Sequence, residues 1–227
     1  MKKLSFILAA VLVFTFLLPL TSFASEKGGY IAAEQSDVRC VKAAQTLSRY
    51  MEEITGKEFP VEENGEGLKI TITASEEAPE NGYIIETKEN EVIITGNGVR
   101  GYIYGVYGFL EKYCDCDWYT STLYSIPKNE ALSIPSGEKT VYKPFFEYTD
   151  TDWVSPRDIE YSLANGLNGS PYRIIPDELG GNVTYISNFC HTLTTQFCKS
   201  AEYFDEHPEY FSMVDGVRIK DQTQLCL

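Results

Sequence analysis

Residues Glu91 to Tyr113, EVIITGNGVRGYIYGVYGFLEKY, decide how this chain is read. Val92-Ile93-Ile94 is a β-branched run that reads as a strand, and Gly96-Asn97-Gly98 reads as a turn. Val99, Ile103, Val106, Leu110 and Tyr113 then recur at spacings of 4, 3, 4 and 3, one face of a helix. Gly96, Gly98 and Gly101 spell G-x-G-x-x-G between strand and helix, where a dinucleotide-binding loop would sit. The surroundings argue against that site. A second extended run, Gly82-Tyr83-Ile84-Ile85-Glu86-Thr87, precedes the strand across Lys88-Glu89-Asn90, which predicts an antiparallel hairpin and not the parallel unit the fingerprint needs. After the helix comes Cys114-Asp115-Cys116-Asp117-Trp118-Tyr119, with no buried β-branched run. The glycines are expected to serve a tight turn and, at Gly105 and Gly108, close packing of helix on sheet. No cofactor is expected.

Working outward, Tyr30-Ile31-Ala32-Ala33 reads as a strand, and Asp37 offers an N-cap to a helix over 38–55 that stops at Gly56. Val41, Ala44, Leu47, Met51 and Ile54 would form its buried face. Leu68 to Thr73 alternates as a half-buried strand does. Ser125-Ile126-Pro127 and Ala131-Leu132-Ser133-Ile134-Pro135 read as a closing, edge-like pair. The sum is an α+β domain, a sheet with two helices on one face, over residues 25–137.

Ahead of it, Met1-Lys2-Lys3, an apolar run from Leu4 to Leu20 and small residues at Ser22 and Ala24 form a signal peptide over 1–24, cleaved near Ala24. An uncleaved anchor is the rival reading, because the run approaches spanning length; the polar Ser25-Glu26-Lys27 favours cleavage. The expected product is secreted and extracellular, with no membrane association after cleavage. The formal charge is −14. Losing Lys2 and Lys3 with the leader leaves 17 basic against 33 acidic side chains. Such acidity excludes nucleic acid as a natural partner. Cys40, Cys114, Cys116, Cys190, Cys198 and Cys226 permit disulfides in an exported chain, in pairings the sequence leaves open.

Residues 138–227 have another texture. Glu138 to Tyr142 reads as a linker, Phe145-Phe146-Glu147-Tyr148 as a strand, and Arg157 to Ala164 as a helix. Tyr172-Arg173-Ile174-Ile175 and Val183-Thr184-Tyr185-Ile186 are further extended runs, with a helix expected from Gln196 to Phe204. Alternating strands and helices predict the first units of an incomplete (β/α)8 barrel. The chain stops within the apolar run Gln224-Leu225-Cys226-Leu227, which suggests a truncated barrel domain.

Several motifs together carry a family resemblance: Thr95-Gly96, Arg100-Gly101, Tyr104-Gly105-Val106-Tyr107, Phe109-Leu110-Glu111, Cys116, Trp118-Tyr119 and Ile126-Pro127. Ile54-Thr55-Gly56, Asn168-Gly169, His191-Thr192, His207-Pro208-Glu209-Tyr210-Phe211, Gly216-Val217-Arg218 and Gln224-Leu225-Cys226-Leu227 add to it. The chain resembles an exported bacterial domain-of-unknown-function 4838 family across nearly the whole mature length. That family is similar to the N-terminal region of α-glucuronidases and hexosaminidases, whose small α+β domain precedes a catalytic (β/α)8 barrel. Thr149, Asp117 and Leu193 depart from its pattern, replacing an expected arginine, another arginine and a phenylalanine.

The resemblance implies the N-terminal portion of a glycoside-hydrolase-like protein acting on oligo- or polysaccharide, without turnover in these 227 residues alone. Glycoside hydrolysis needs two carboxylates across the scissile bond. Asp150 and Asp152, just past the first expected barrel strand, are the weak catalytic candidates, and the family's acid pair is expected beyond Leu227. His191 and Thr192 could hydrogen-bond sugar hydroxyls, and Trp118, Tyr119 and Trp153 could stack on sugar faces. Cys190, His191, Cys198 and His207 match no closed zinc spacing, so no metal site is expected. The alternative to an enzyme is a non-catalytic carbohydrate-binding or scaffolding module.

Overall fold

The computed structural model describes residues 26–151, 153–169, 173–184 and 196–220. The expected leader, Asp152, His191, Thr192, Cys190 and Cys226 lie outside them. The first regular elements are β1 (Gly29–Ala33), α1 (Val38–Thr55), β2 (Leu68–Ala74), β3 (Tyr83–Lys88), β4 (Glu91–Gly96) and α2 (Gly101–Cys114). After them come β5 (Asp117–Trp118), β6 (Tyr124–Ser125), β7 (Lys139–Tyr142), α3 (Ile159–Ala164), α4 (Ser200–Tyr203), β8 (Met213–Val214) and β9 (Val217–Arg218).

A five-stranded mixed sheet runs in the order β1-β2-β4-β3-β7. β1 and β4 both pair parallel with β2, whereas β3 pairs antiparallel with both β4 and β7. The pivotal hairpin is present as read, with Tyr83 opposite Gly96 and Lys88 opposite Glu91. Ile31, Ile70, Ile72, Ile85, Val92 and Ile94 are buried from alternate strand positions, which gives the sheet one apolar face. α1 and α2 pack on each other and on that sheet.

Asp37 caps α1 by accepting from the Arg39 backbone N–H at 2.9 Å, and Gly56 ends it at φ +70°. α2 differs from its one-faced reading. It starts at Gly101, so Val99 lies ahead of the helix and is 40% exposed. Of its residues, Tyr102 to Tyr107, Phe109, Leu110, Tyr113 and Cys114 are buried, because α1, the sheet and the later segment enclose it.

The edge was misread. Lys139–Tyr142, taken for a linker, is the fifth strand; it is short and mostly exposed, so no burial pattern marks it. The expected closing pair does not form: Tyr124–Ser125 pairs with Asp117–Trp118 instead, and residues 131–135 carry no strand. Beyond Lys143, Phe145–Tyr148 is irregular where a strand was expected. The helix over 157–164 shortens to Ile159–Ala164 behind its Asp158 cap, and the one over 196–204 shortens to Ser200–Tyr203. Among the described residues no helix is long and apolar enough to cross a membrane.

Candidate functional site: an aromatic groove beside helix α2

The glycine loop is closed to phosphate. The Gly98 N–H donates to Asn97 Oδ1 at 2.7 Å and the Val99 N–H to Asn81 Oδ1 at 3.2 Å, so the amides a nucleotide would need are taken. A Cβ on Gly96 would come within 2.6 Å of the Gly101 backbone. The loop therefore exists to bring chain against chain.

The same packing opens a groove on the other end of α2. A cavity of about 410 Å³ lies between Tyr83 of β3, Tyr142 of β7, the α2 residues Tyr104, Tyr107, Gly108 and Glu111, the Cys116–Tyr119 segment and residues 163–166. That volume falls within the roughly 300–1,000 Å³ usual for ligand sites. Gly108 is required there, because a side chain at that position would collide with the Tyr83 hydroxyl. Tyr83 and Tyr142 stack with ring centroids 5.0 Å apart. Trp118 is wedged edge-on between Tyr50 and Tyr107, at 5.6 and 5.2 Å. Tyr119 is 55% exposed, and its hydroxyl donates to Asp117 Oδ2 at 2.9 Å. Asn165 is held by two bonds from its amide nitrogen, to the Trp118 carbonyl at 3.2 Å and the Tyr161 carbonyl at 2.9 Å, leaving its oxygen as an acceptor.

Burial governs titration here. It pushes the Tyr83 hydroxyl up to about 12, with Tyr142 and the Glu111 carboxylate adding to the effect. It pushes the Tyr104 hydroxyl up to about 12 as well, while Arg100 and Arg173 pull the other way. The Cys116 thiol is raised to about 12, again by burial first and then by Glu53, Asp117 and Asp115. These groups stay neutral at physiological pH, so the groove's formal charge comes from Glu111 and Asp117. Planar rings with a few fixed polar groups suit the apolar faces and hydroxyl rims of sugars.

Of the residues singled out in the sequence, Trp118 and Tyr119 line the groove. Trp153 is exposed and does not line it. Asp150 lies in a separate buried cluster: Oδ2 accepts from the Tyr148 hydroxyl at 3.1 Å, and Arg173 Nη1 stands 3.9 Å from Oδ1. Burial pulls the Arg173 guanidinium down, with Asp150, Tyr104 and Tyr148 opposing. His207 stacks on Tyr210 at 4.7 Å and pairs with Glu209 at 3.0 Å. Tyr83, Tyr104, Tyr107 and Tyr142 escaped the sequence reading, because tyrosines within a hairpin, a helix and an edge strand look like core until their convergence is seen. The dense tyrosine content, 16 in the chain, was the available signal.

Residues 118–227 match the model of a family described as Domain of unknown function (DUF4838). The resemblance read from the sequence is thus confirmed over that span, which includes Trp118-Tyr119 and Asn168-Gly169 and leaves the β4–α2 motifs outside. No curated protein is matched. Among solved structures, the GH20 β-N-acetylhexosaminidase from Streptomyces coelicolor A3(2) aligns at TM-score 0.43 and 18% identity, over 53% of this chain and 23% of that one. A Streptomyces plicatus N-acetyl-β-hexosaminidase aligns at 0.42 and 18%, over 54% and 23%. A family GH115 4-O-methyl-α-glucuronidase with specificity for decorated arabinogalactans aligns at 0.40 and 17%, over 54% and 18%. The chain thus spans less than a quarter of the length of each.

Proposed function

We propose that this chain is the front portion of an exported glycoside-hydrolase-like protein that acts on carbohydrate, and that the groove beside α2 is a sugar-binding surface. One observation carries the binding claim: Tyr83, Tyr104, Tyr107, Trp118, Tyr119 and Tyr142 converge on one 410 Å³ cavity. The lineage is supported by the sequence resemblance together with the family match over residues 118–227. Export is supported by the Met1-Lys2-Lys3 and Leu4-to-Leu20 leader pattern.

Within this reading, residues 143–184 are the opening turns of a (β/α) barrel. The Asn168 N–H donates to the Thr149 carbonyl at 3.0 Å and the Val183 N–H to the Asn168 carbonyl at 2.9 Å, which sets three successive segments side by side. The chain by itself is read as binding sugar without cleaving it, since Asp150 is committed to Tyr148 and Arg173 and does not line the groove. A second reading, the non-catalytic carbohydrate-binding module, is favoured by the origin of the lining: every groove aromatic lies between Tyr83 and Tyr142.

The test uses residues 25–227. The chain has two tryptophans, so a Trp153→Phe background leaves Trp118 as the fluorophore. Saturable fluorescence changes with oligosaccharides, abolished by Tyr119→Ala, are expected. A flat response across a broad panel would remove the sugar-binding claim. Turnover of aryl glycosides by this chain would overturn the binding-only assignment.

A further inference from the structure

Resting on the sugar-binding reading, we propose that the groove selects sugars carrying a free amine, such as glucosamine oligomers, over neutral ones. Its lining contains two carboxylates, Glu111 and Asp117, and no lysine, arginine or histidine. Asp117 Oδ2 is taken by the Tyr119 hydroxyl, which leaves Oδ1 to face a ligand and holds the Tyr119 ring beside it. An ammonium set between a carboxylate and electron-rich ring faces gains both ion-pair and cation–π attraction.

Tyr104 gives an independent sign of a ligand. It lines the same cavity, is only 6% exposed, and its hydroxyl has no hydrogen-bond partner among the described residues. A buried hydroxyl left unpaired is costly, and a sugar hydroxyl would satisfy it. Arg100 and Arg173 act electrostatically on Tyr104 but do not line the cavity. That polarity orients the ligand, with hydroxyls toward Tyr104 and the amine toward Glu111 and Asp117.

The experiment titrates the 25–227 chain, in the Trp153→Phe background, with glucosamine oligomers, their N-acetylated counterparts, neutral gluco-oligosaccharides and oligolysine. Glucosamine oligomers should bind at least roughly fivefold tighter than the acetylated ones, with affinity falling as salt rises. Asp117→Asn and Glu111→Gln should each remove most of that preference, with neutral-sugar binding unchanged. Equal binding of acetylated or neutral sugars would overturn the amine preference and leave the sugar-binding reading standing. Oligolysine binding as tightly as glucosamine oligomers, with the same sensitivity to both variants, would overturn it in favour of a basic-peptide site. Binding of no sugar at all would overturn both readings.

Discussion

Between Gly29 and Tyr142 the chain hides its large apolar side chains, whereas beyond Lys143 it displays many of them. Of the largest fully buried residues, Tyr50, Phe109, Ile31, Leu47, Met51 and their neighbours all lie in the first region, and only Phe211 lies in the second. In the second, Phe145 is 90% and Ile174 85% exposed. What orders residues 147–183 is polar. Asn168 accepts from the Thr149 N–H at 2.9 Å and donates to the Glu147 carbonyl at 2.8 Å; Arg173 donates to the carbonyls of Pro156 at 2.7 Å and Leu167 at 3.1 Å. One region is specified by area removed from water, the other by a few directional bonds with exposed backbone around them. The first should unfold as a unit and the second should open locally.

The sharpest way to break that contrast is in the core. Phe109→Ala on α2 should cost about 3–5 kcal/mol and lower the urea midpoint of the whole sheet-and-helix unit. An equally large loss confined to residues 143–184 would reverse the comparison. Asn168→Ala should cost about 1–3 kcal/mol of local stability, seen as faster hydrogen exchange between 147 and 183 with the 29–142 transition intact. Loss of that transition would mean the two regions unfold together.

A smaller effect is expected at the α1 cap. Burial pushes the Asp37 carboxyl up, but hydrogen bonds from Arg39 and Tyr102 outweigh it and hold it below the ordinary range. Its folded value therefore lies under the unfolded value of about 3.9, so its stabilisation is complete above that pH and is lost as pH falls through the lowered value. Asp37→Ala should cost about 1 kcal/mol at neutral pH, and the gap to wild type should close below about pH 4 in paired thermal melts. Smallest of all is the exposed Arg49–Glu160 pair, 3.0 Å apart, which joins the two regions. Glu160→Gln should change stability by less than about 0.5 kcal/mol.

The same contrast explains what the sequence revealed. α1 was legible because Asp37, the apolar spacing and Gly56 all agree, and the β3–β4 hairpin because its runs are long and its turn short. β7 was not, since an exposed four-residue edge strand has no alternation to read. The elements expected after Lys143 came out short or irregular because polar side-chain bonds, not periodic burial, set their geometry. Trp118 and Tyr119 were found as candidate sugar-facing residues, as aromatics flanking a helix end. The four tyrosines that complete the groove come from three separate elements, and only the folded sheet brings them together.

The most direct test of the sugar-binding groove is a backbone NMR titration of residues 25–227 with oligosaccharides. The account predicts that shifted amides cluster at Tyr107–Glu111, Cys116–Tyr119 and Ala164–Gly166. Shifts gathered instead around Trp153 and Phe145, or no shifts with any sugar, would contradict it.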